Sequence, residues 1–308
     1  MITSGNVLVV DDEQPMFETY SEILTPYGYR LEWAQDRNSA LSKLQAERWD
    51  VVLLDQRLNG PQGGNTGIDL VAEISQTGAK VILVTAYADA EMAERALLEG
   101  AYDYLQKDNL KMLRTLLRFK VRSATELARE RRLSALSLPA QERELREFWA
   151  TVQSEKNSQR KGLLLEELMM RIFKTLSGLA NITLHGRSKD EEIDLIVINE
   201  STDPFWSREN SQYILVECKN WSKPVGPPEF VVFRDKLESR GARCRLGFFV
   251  ALGGFTEGFA SKAATFRKDP HLVVTLDRSD IDSLVNATDR NALLKQFHQR
   301  AAMTGNGH

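Results

Sequence analysis

Cysteine is nearly missing from this sequence: 308 residues contain only Cys218 and Cys244, and no Cys-x-x-Cys pair occurs. That excludes a disulfide framework and the common zinc and dithiol arrangements, and it fits a reducing compartment. No apolar run approaches the roughly 20 residues that a membrane-spanning helix requires. The N-terminus also lacks the basic, apolar and small-residue order of a secretory signal. A soluble, cytoplasmic protein with no membrane partner is expected. The four histidines, His185, His271, His298 and His308, show no metal-ligand spacing; of these, only His185 falls near a candidate site. Missing too are a helix-turn-helix pattern, a zinc finger and an aromatic platform for single strands.

What remains is ordinary globular material, 42% hydrophobic and 27% charged, in a chain too long for one core. Two domains are expected. The formal net charge of -3 hides an asymmetry, because residues 1–110 hold 18 Asp+Glu against 8 Lys+Arg. The remainder is therefore basic, which is compatible with nucleic acid and equally with scattered solvated side chains.

From residue 6 the chain alternates short apolar runs with helical periods: NVLVV, WDVVLLD, KVILVTA and AYDYLQK are the strand-like segments. Strands without alternating polarity are buried on both faces, and their alternation with amphipathic helices indicates a doubly wound parallel sheet, an α/β fold. Functional groups in that architecture gather at the C-terminal strand ends. Those ends carry Asp11 and Asp12, Asp55, Thr85 and Lys107. Three clustered carboxylates repel one another unless a cation sits among them, and Mg2+ suits an all-oxygen set. Asp55 is then a candidate nucleophile toward phosphorus, with Lys107 and Thr85 able to hold phosphoryl oxygens. Taken singly, each aspartate could be an ordinary turn or helix-cap residue.

The segments VVDDE (9–13), LLDQR (53–57), VTAYA (84–88) and YLQK (104–107) resemble the receiver domain of two-component response regulators, of flavodoxin-like fold. The resemblance implies that Asp55 accepts phosphate from a histidine kinase or a small phosphodonor. It implies that Asp11, Asp12, Asp55 and the backbone carbonyl of Arg57 hold Mg2+, and that Thr85 and Tyr104 form a switch pair. Two departures stand out: the glycine-rich loop LNGPQGGNTG (58–67), expected to be mobile, and Asp108 where the family carries proline after Lys107.

Residues 109–160 contain one proline, Pro139, and no glycine, so they should be helical with a break near SLPA (137–140). The apolar spacing fits either a dimerising signalling helix or a packed inter-domain helix pair.

Downstream, Leu165, Leu168, Met169, Ile172, Phe173 and Leu176 mark one helical stripe, ended by Gly178 and bordered by Glu166. EEIDLIVIN (191–199) reads as a strand with Asp194 as an acid on an apolar face. YILVECKNW (213–221) places Glu217 and Lys219 on one side of a strand and Cys218 on the other. The element order reads helix, strand, strand, helix, strand. Glu217 and Lys219 are either a structural ion pair or half of a site. In the second case Asp194 and Glu217 favour a divalent cation, Glu166 completes the ring, and Lys219 orients or activates a water.

GLLLEEL (162–168), EIDLIV (192–197), VECKNW (216–221) and GFFVALGGFTEGF (247–259) resemble the PD-(D/E)xK nucleases, most closely the Mrr-type restriction endonucleases. That resemblance implies a restriction-endonuclease-like α/β domain. Its catalytic residues are Glu166, Asp194, Glu217 and Lys219, with Mg2+ (or Mn2+) on Asp194 and Glu217, and DNA is the substrate. Glu191 and Glu192 replace the glycine pair usual before the aspartate. The expected organisation is a receiver at 1–125, a helical connector at 126–158, a nuclease-like domain at 159–300 and a flexible tail at 301–308. Double-strand cleavage favours a homodimer. A catalytically inactive DNA-binding or scaffold regulator and an RNA-directed nuclease are the alternatives.

Overall fold

Apolar runs without alternation become strands buried on both faces, and three such runs form the centre of the first sheet. In the computed structural model residues 4–58, 67–86, 90–107, 110–134, 136–187, 192–266 and 270–304 are described. The chain divides into two units, Met1–Gln141 and Glu142–His308.

The first unit runs β1 (Gly5–Val10), α1 (Gln14–Leu24), β2 (Tyr29–Ala34), α2 (Arg37–Ala46), β3 (Val51–Asp55), α3 (Ile68–Gln76), β4 (Lys80–Thr85), α4 (Ala90–Leu98), β5 (Asp103–Gln106) and α5 (Leu110–Ser134). Its sheet has the order β2-β1-β3-β4-β5, and every pairing is parallel. This is the expected flavodoxin-like doubly wound sheet. Alternate strand residues feed two cores: Val7, Val9, Leu53 and Val84 pack with Leu113, Leu117 and Val121 of α5. Leu8, Val10, Leu54 and Leu83 pack with Leu70, Val71 and Ile74 of α3. The loop expected to be mobile lies, from residue 59 to 66, outside the described residues.

The expected boundary at 125 falls inside α5. Its later half is fastened to the first unit, where Arg129 donates to the Ser4 carbonyl at 3.0 Å and Arg132 pairs with Asp50 at 3.3 Å. After the break, α6 (Leu138–Ser154) buries Leu145, Phe148, Trp149 and Val152 in the core of the second unit. The connector's apolar positions are therefore divided between the two cores.

The second unit continues with α7 (Ser158–Lys174), β6 (Ile182–Arg187), β7 (Glu192–Ile198), α8 (Pro204–Arg208), β8 (Tyr213–Lys219), α9 (Pro227–Glu238), β9 (Leu246–Ala251), α10 (Glu257–Ala264), β10 (Leu272–Leu276), α11 (Arg278–Asn286) and α12 (Arg290–Thr304). The sheet order is β10-β9-β8-β7-β6; β8, β9 and β10 are parallel, and β7 is antiparallel to both neighbours. One face carries α7, whose start is capped by the Asn157 side chain accepting from Arg160 N at 3.0 Å. The other carries α9 and α10 through Phe230, Phe233 and Phe259. Two elements correct the expected order: β6 precedes the Asp194 strand, and α8 intervenes before β8. At the end, α12 runs to Thr304 with Ala301 buried, so helix occupies half of the segment expected to be a flexible tail. Residues 305–308 lie outside the described residues.

Candidate functional site

In the first unit the strand order reverses direction between β1 and β3, and the two strand ends there set acids side by side. Asp11 follows β1, Asp12 is next, and Asp55 ends β3. Their carboxylate oxygens lie within 4.8 Å of one another, the one such set of three among the described residues. Lys107, just past β5, reaches Asp11 Oδ2 at 2.8 Å and Asp55 Oδ1 at 3.1 Å. Burial pushes the Asp55 carboxyl up to about 6, Lys107 opposing and Asp11 adding to the rise. Burial pulls the Lys107 ammonium down, but Asp11 and Asp55 outweigh it and raise it overall. The donor set is hard, anionic and oxygen-only, which fits Mg2+.

Thr85 closes β4 with 1% exposure, and its carbonyl accepts from Lys107 N at 2.7 Å. Tyr104 pairs with Leu83 across β4 and β5, which makes it a diagonal neighbour of Thr85 on the same sheet face. Its ring packs half-buried against the α3 side core. Arg57 follows Asp55 by two residues at the same strand end. Gly67, at the start of α3, is fixed by proximity: a Cβ there would stand 1.9 Å from the Asp55 carbonyl oxygen.

In the second unit the acids gather where β7 and β8 begin to part. The register pairs Leu195 with Val216, and one step further sets Asp194 opposite Glu217. Asp194 Oδ2 accepts from Cys218 N at 2.7 Å. Burial pushes the Asp194 carboxyl up to about 6, and the neighbouring Glu217 adds to the rise. Lys219 Nζ donates to Glu217 Oε1 at 2.6 Å. Burial opposes the Lys219 charge, but Glu217 outweighs it and raises its ammonium. Cys218 turns to the opposite face as a core residue, and its burial pushes the thiol far up.

The loop past β8 is held in place. Asn220 donates to the Lys161 carbonyl of α7 at 3.0 Å, Leu252 N donates to the Lys219 carbonyl at 3.1 Å, and Val225 bridges to Phe255. Trp221, 46% exposed, stands with its ring centroid 5.8 Å from Lys219 Nζ.

Glu166 is buried on α7, on the Cys218 side, where its charge raises the thiol along with those of Asp194 and Glu217. The three acids do not all lie within 4.8 Å of one another, as those of the first unit do. The structure brings Asp194, Glu217 and Lys219 together, and Glu166 of α7 is near enough for its charge to act with theirs on Cys218. His185 stands on β6.

One residue was not anticipated. Lys236 of α9, 8% exposed, donates to Glu217 Oε2 at 2.8 Å, so both oxygens of that carboxylate are taken by ammonium groups. The signal was available: Lys236 continues the buried stripe of Phe230, Phe233 and Leu237, where a lysine needs a partner. Gly247 of β9 sets the approach of that helix, since a Cβ there would stand 2.8 Å from the Phe233 ring. Asp194 and Glu217 offer oxygen donors of the kind a hard divalent ion takes.

Comparison with known proteins bears out the resemblances. A response regulator receiver domain model matches residues 7–118, and a restriction endonuclease model, of the Mrr catalytic type, matches residues 158–285. Curated relatives include the alginate biosynthesis transcriptional regulatory protein AlgB of Pseudomonas aeruginosa, 33% identical over 105 residues, covering 33% of this chain and 22% of that protein. The phosphate regulon transcriptional regulatory protein PhoB of Escherichia coli is 34% identical over 101 residues, covering 33% and 44%. The match thus spans about a fifth to under half of these relatives' length. Among solved structures, a response regulator from Thermotoga maritima is 25% identical with a TM-score of 0.35, covering 39% of this chain and 98% of that one.

Proposed function

From the premise that this chain joins a response regulator receiver domain to a restriction endonuclease domain, we propose that it is a two-component response regulator whose output is metal-dependent cleavage of DNA. In the receiver, the Asp55 carboxylate attacks the phosphorus of a phosphohistidine or small phosphodonor; the bond from phosphorus to the donor breaks as the acyl phosphate forms. Lys107 and the Thr85 hydroxyl take phosphoryl oxygens, and Tyr104 follows Thr85 as the switch. Asp11, Asp12, Asp55 and the Arg57 carbonyl would hold Mg2+, and Mg2+ supplies charge neutralisation there.

In the output domain, Asp194 and Glu217 would hold Mg2+ or Mn2+, which supplies polarisation of the phosphodiester and a more acidic water. Lys219 orients the water that attacks phosphorus and offsets the charge that develops. The ester P–O bond then breaks and the leaving oxygen takes a proton. Glu166 supports this set from α7. The observation that carries the reading is Asp194 set against Glu217 at one strand junction, with the Lys219 ammonium 2.6 Å from Glu217.

That same carboxylate is also gripped by Lys236, which favours a second reading, a closed and inactive nuclease fold serving as a scaffold. Plasmid nicking decides between them. The nuclease reading expects nicking with Mg2+ or Mn2+, none with a chelator, and a loss on the order of a hundredfold or more in Glu217→Ala and Lys219→Ala. Unchanged nicking by both variants removes the site assignment, and no nicking by the wild type favours the scaffold. A duplex RNA competitor tests the substrate. Cutting both strands calls for two sites, hence a homodimer.

A further inference from the structure

The output site holds more built-in positive charge than its motif supplies. Lys236 approaches from α9, a different element from the strand that carries Glu217 and Lys219. It sits in an apolar stripe between Phe233 and Leu237, where a leucine would pack without the cost of desolvating an ammonium. Its 2.8 Å bond to Glu217 Oε2 complements the 2.6 Å bond of Lys219 to Oε1. Around this junction two carboxylates, Asp194 and Glu217, thus face two ammonium groups.

Two divalent ions about 4 Å apart clamp the attacking and leaving oxygens of a phosphodiester, and an acid shared between them needs both of its oxygens free. Here Lys219 takes Glu217 Oε1 and Lys236 takes Oε2, so only one oxygen of that acid comes free while Lys236 stays. Lys219 is the more open of the two, its side chain 23% exposed against 10% for Lys236. A divalent ion would therefore compete with Lys219, not Lys236, for Glu217. We propose that the output site takes one divalent ion per chain, and that Lys236 fills the second cationic place beside Glu217 as a fixed ammonium. This inference rests on the nuclease reading. Lys236 is a positioning residue, acting through Glu217.

The test counts Mn2+ bound to the full-length chain by calorimetry, with free Mn2+ measured by electron paramagnetic resonance. The ions lost on going from wild type to the isosteric Asp194→Asn/Glu217→Gln variant are those of the output site. One ion is expected, with cleavage first-order in Mn2+. Lys236→Met is expected to admit one more ion per chain than wild type, and Lys236→Arg to keep the wild-type count. Two ions lost from wild type, none lost, or an unchanged count in a folded Lys236→Met variant each overturn the inference. Should Lys236→Met fail to fold, the wild-type and Lys236→Arg counts decide. One ion lost without nicking of any plasmid sinks the nuclease reading alone, whereas two ions lost with nicking sinks only the ion count.

Discussion

Asp55 shows what a single buried charge does to its surroundings. Its carboxyl is moved by burial from an ordinary value near 3.8 to about 6, so the folded chain binds that proton more tightly than the unfolded chain. The charged form therefore destabilises the fold. The cost is absent below pH 4, grows as pH rises to about 6, and is full above that. The rise from 3.8 to about 6 corresponds to about 2–3 kcal/mol. In chelator, Asp55→Asn is expected to melt above the wild type at pH 7.5, the gap closing by pH 4, and Mg2+ should raise the wild type by more than the variant. An equal gap at both pH values in thermal melts would show that Asp55 is not held at raised pKa. The same substitution should abolish labelling by a small phosphodonor. These acids were legible in the sequence because strand ends are predictable. Lys236 was not, because a helix lysine is ordinarily solvated and only its phase with Phe230 and Phe233 marks it as buried.

At the scale of elements, the output site depends on how closely α9 lies on β9. Gly247 allows that approach, with the Phe233 ring where a side chain would begin. Gly247→Val is expected to cost about 1–3 kcal/mol by overpacking and to shift α9, withdrawing Lys236 from Glu217. Denaturant unfolding gives the first quantity, and Mn2+ binding at the output site should change with it. Unchanged Mn2+ binding in a destabilised Gly247→Val would separate the helix from the site. Sequence patterning revealed β1, β3 and β4 because each is an apolar run buried on both faces, while β2, the polar-mixed YRLEWA at the sheet edge, went unread. It missed β6, whose ITLHGR mixes polar residues and glycine and pairs only with β7 at the sheet edge. It also missed that the apolar faces of α5 and α6 are spent in separate cores, which spacing alone does not distinguish from a dimer seam.

At the scale of the molecule, the two-part organisation was readable from the acidic first segment, the strand-end acids and the Glu-x-Lys strand. The sharing of the connector between the units was not, because it depends on tertiary contacts such as Arg129 to the Ser4 carbonyl. Among the described residues no helix is long and apolar enough to cross a membrane. With phosphodonor present, sedimentation should show a concentration-dependent dimer; a strict monomer under cleaving conditions would remove the paired-site scheme. The proposed coupling of aspartyl phosphorylation to DNA hydrolysis is tested by mapping cleavage products of duplex DNA with and without a small phosphodonor, in wild type and in Asp55→Ala. Mg2+-dependent cleavage is expected, its rate changing at least severalfold on phosphorylation in the wild type and not in Asp55→Ala; cleavage indifferent to phosphodonor, or equally responsive in Asp55→Ala, would rule the coupling out.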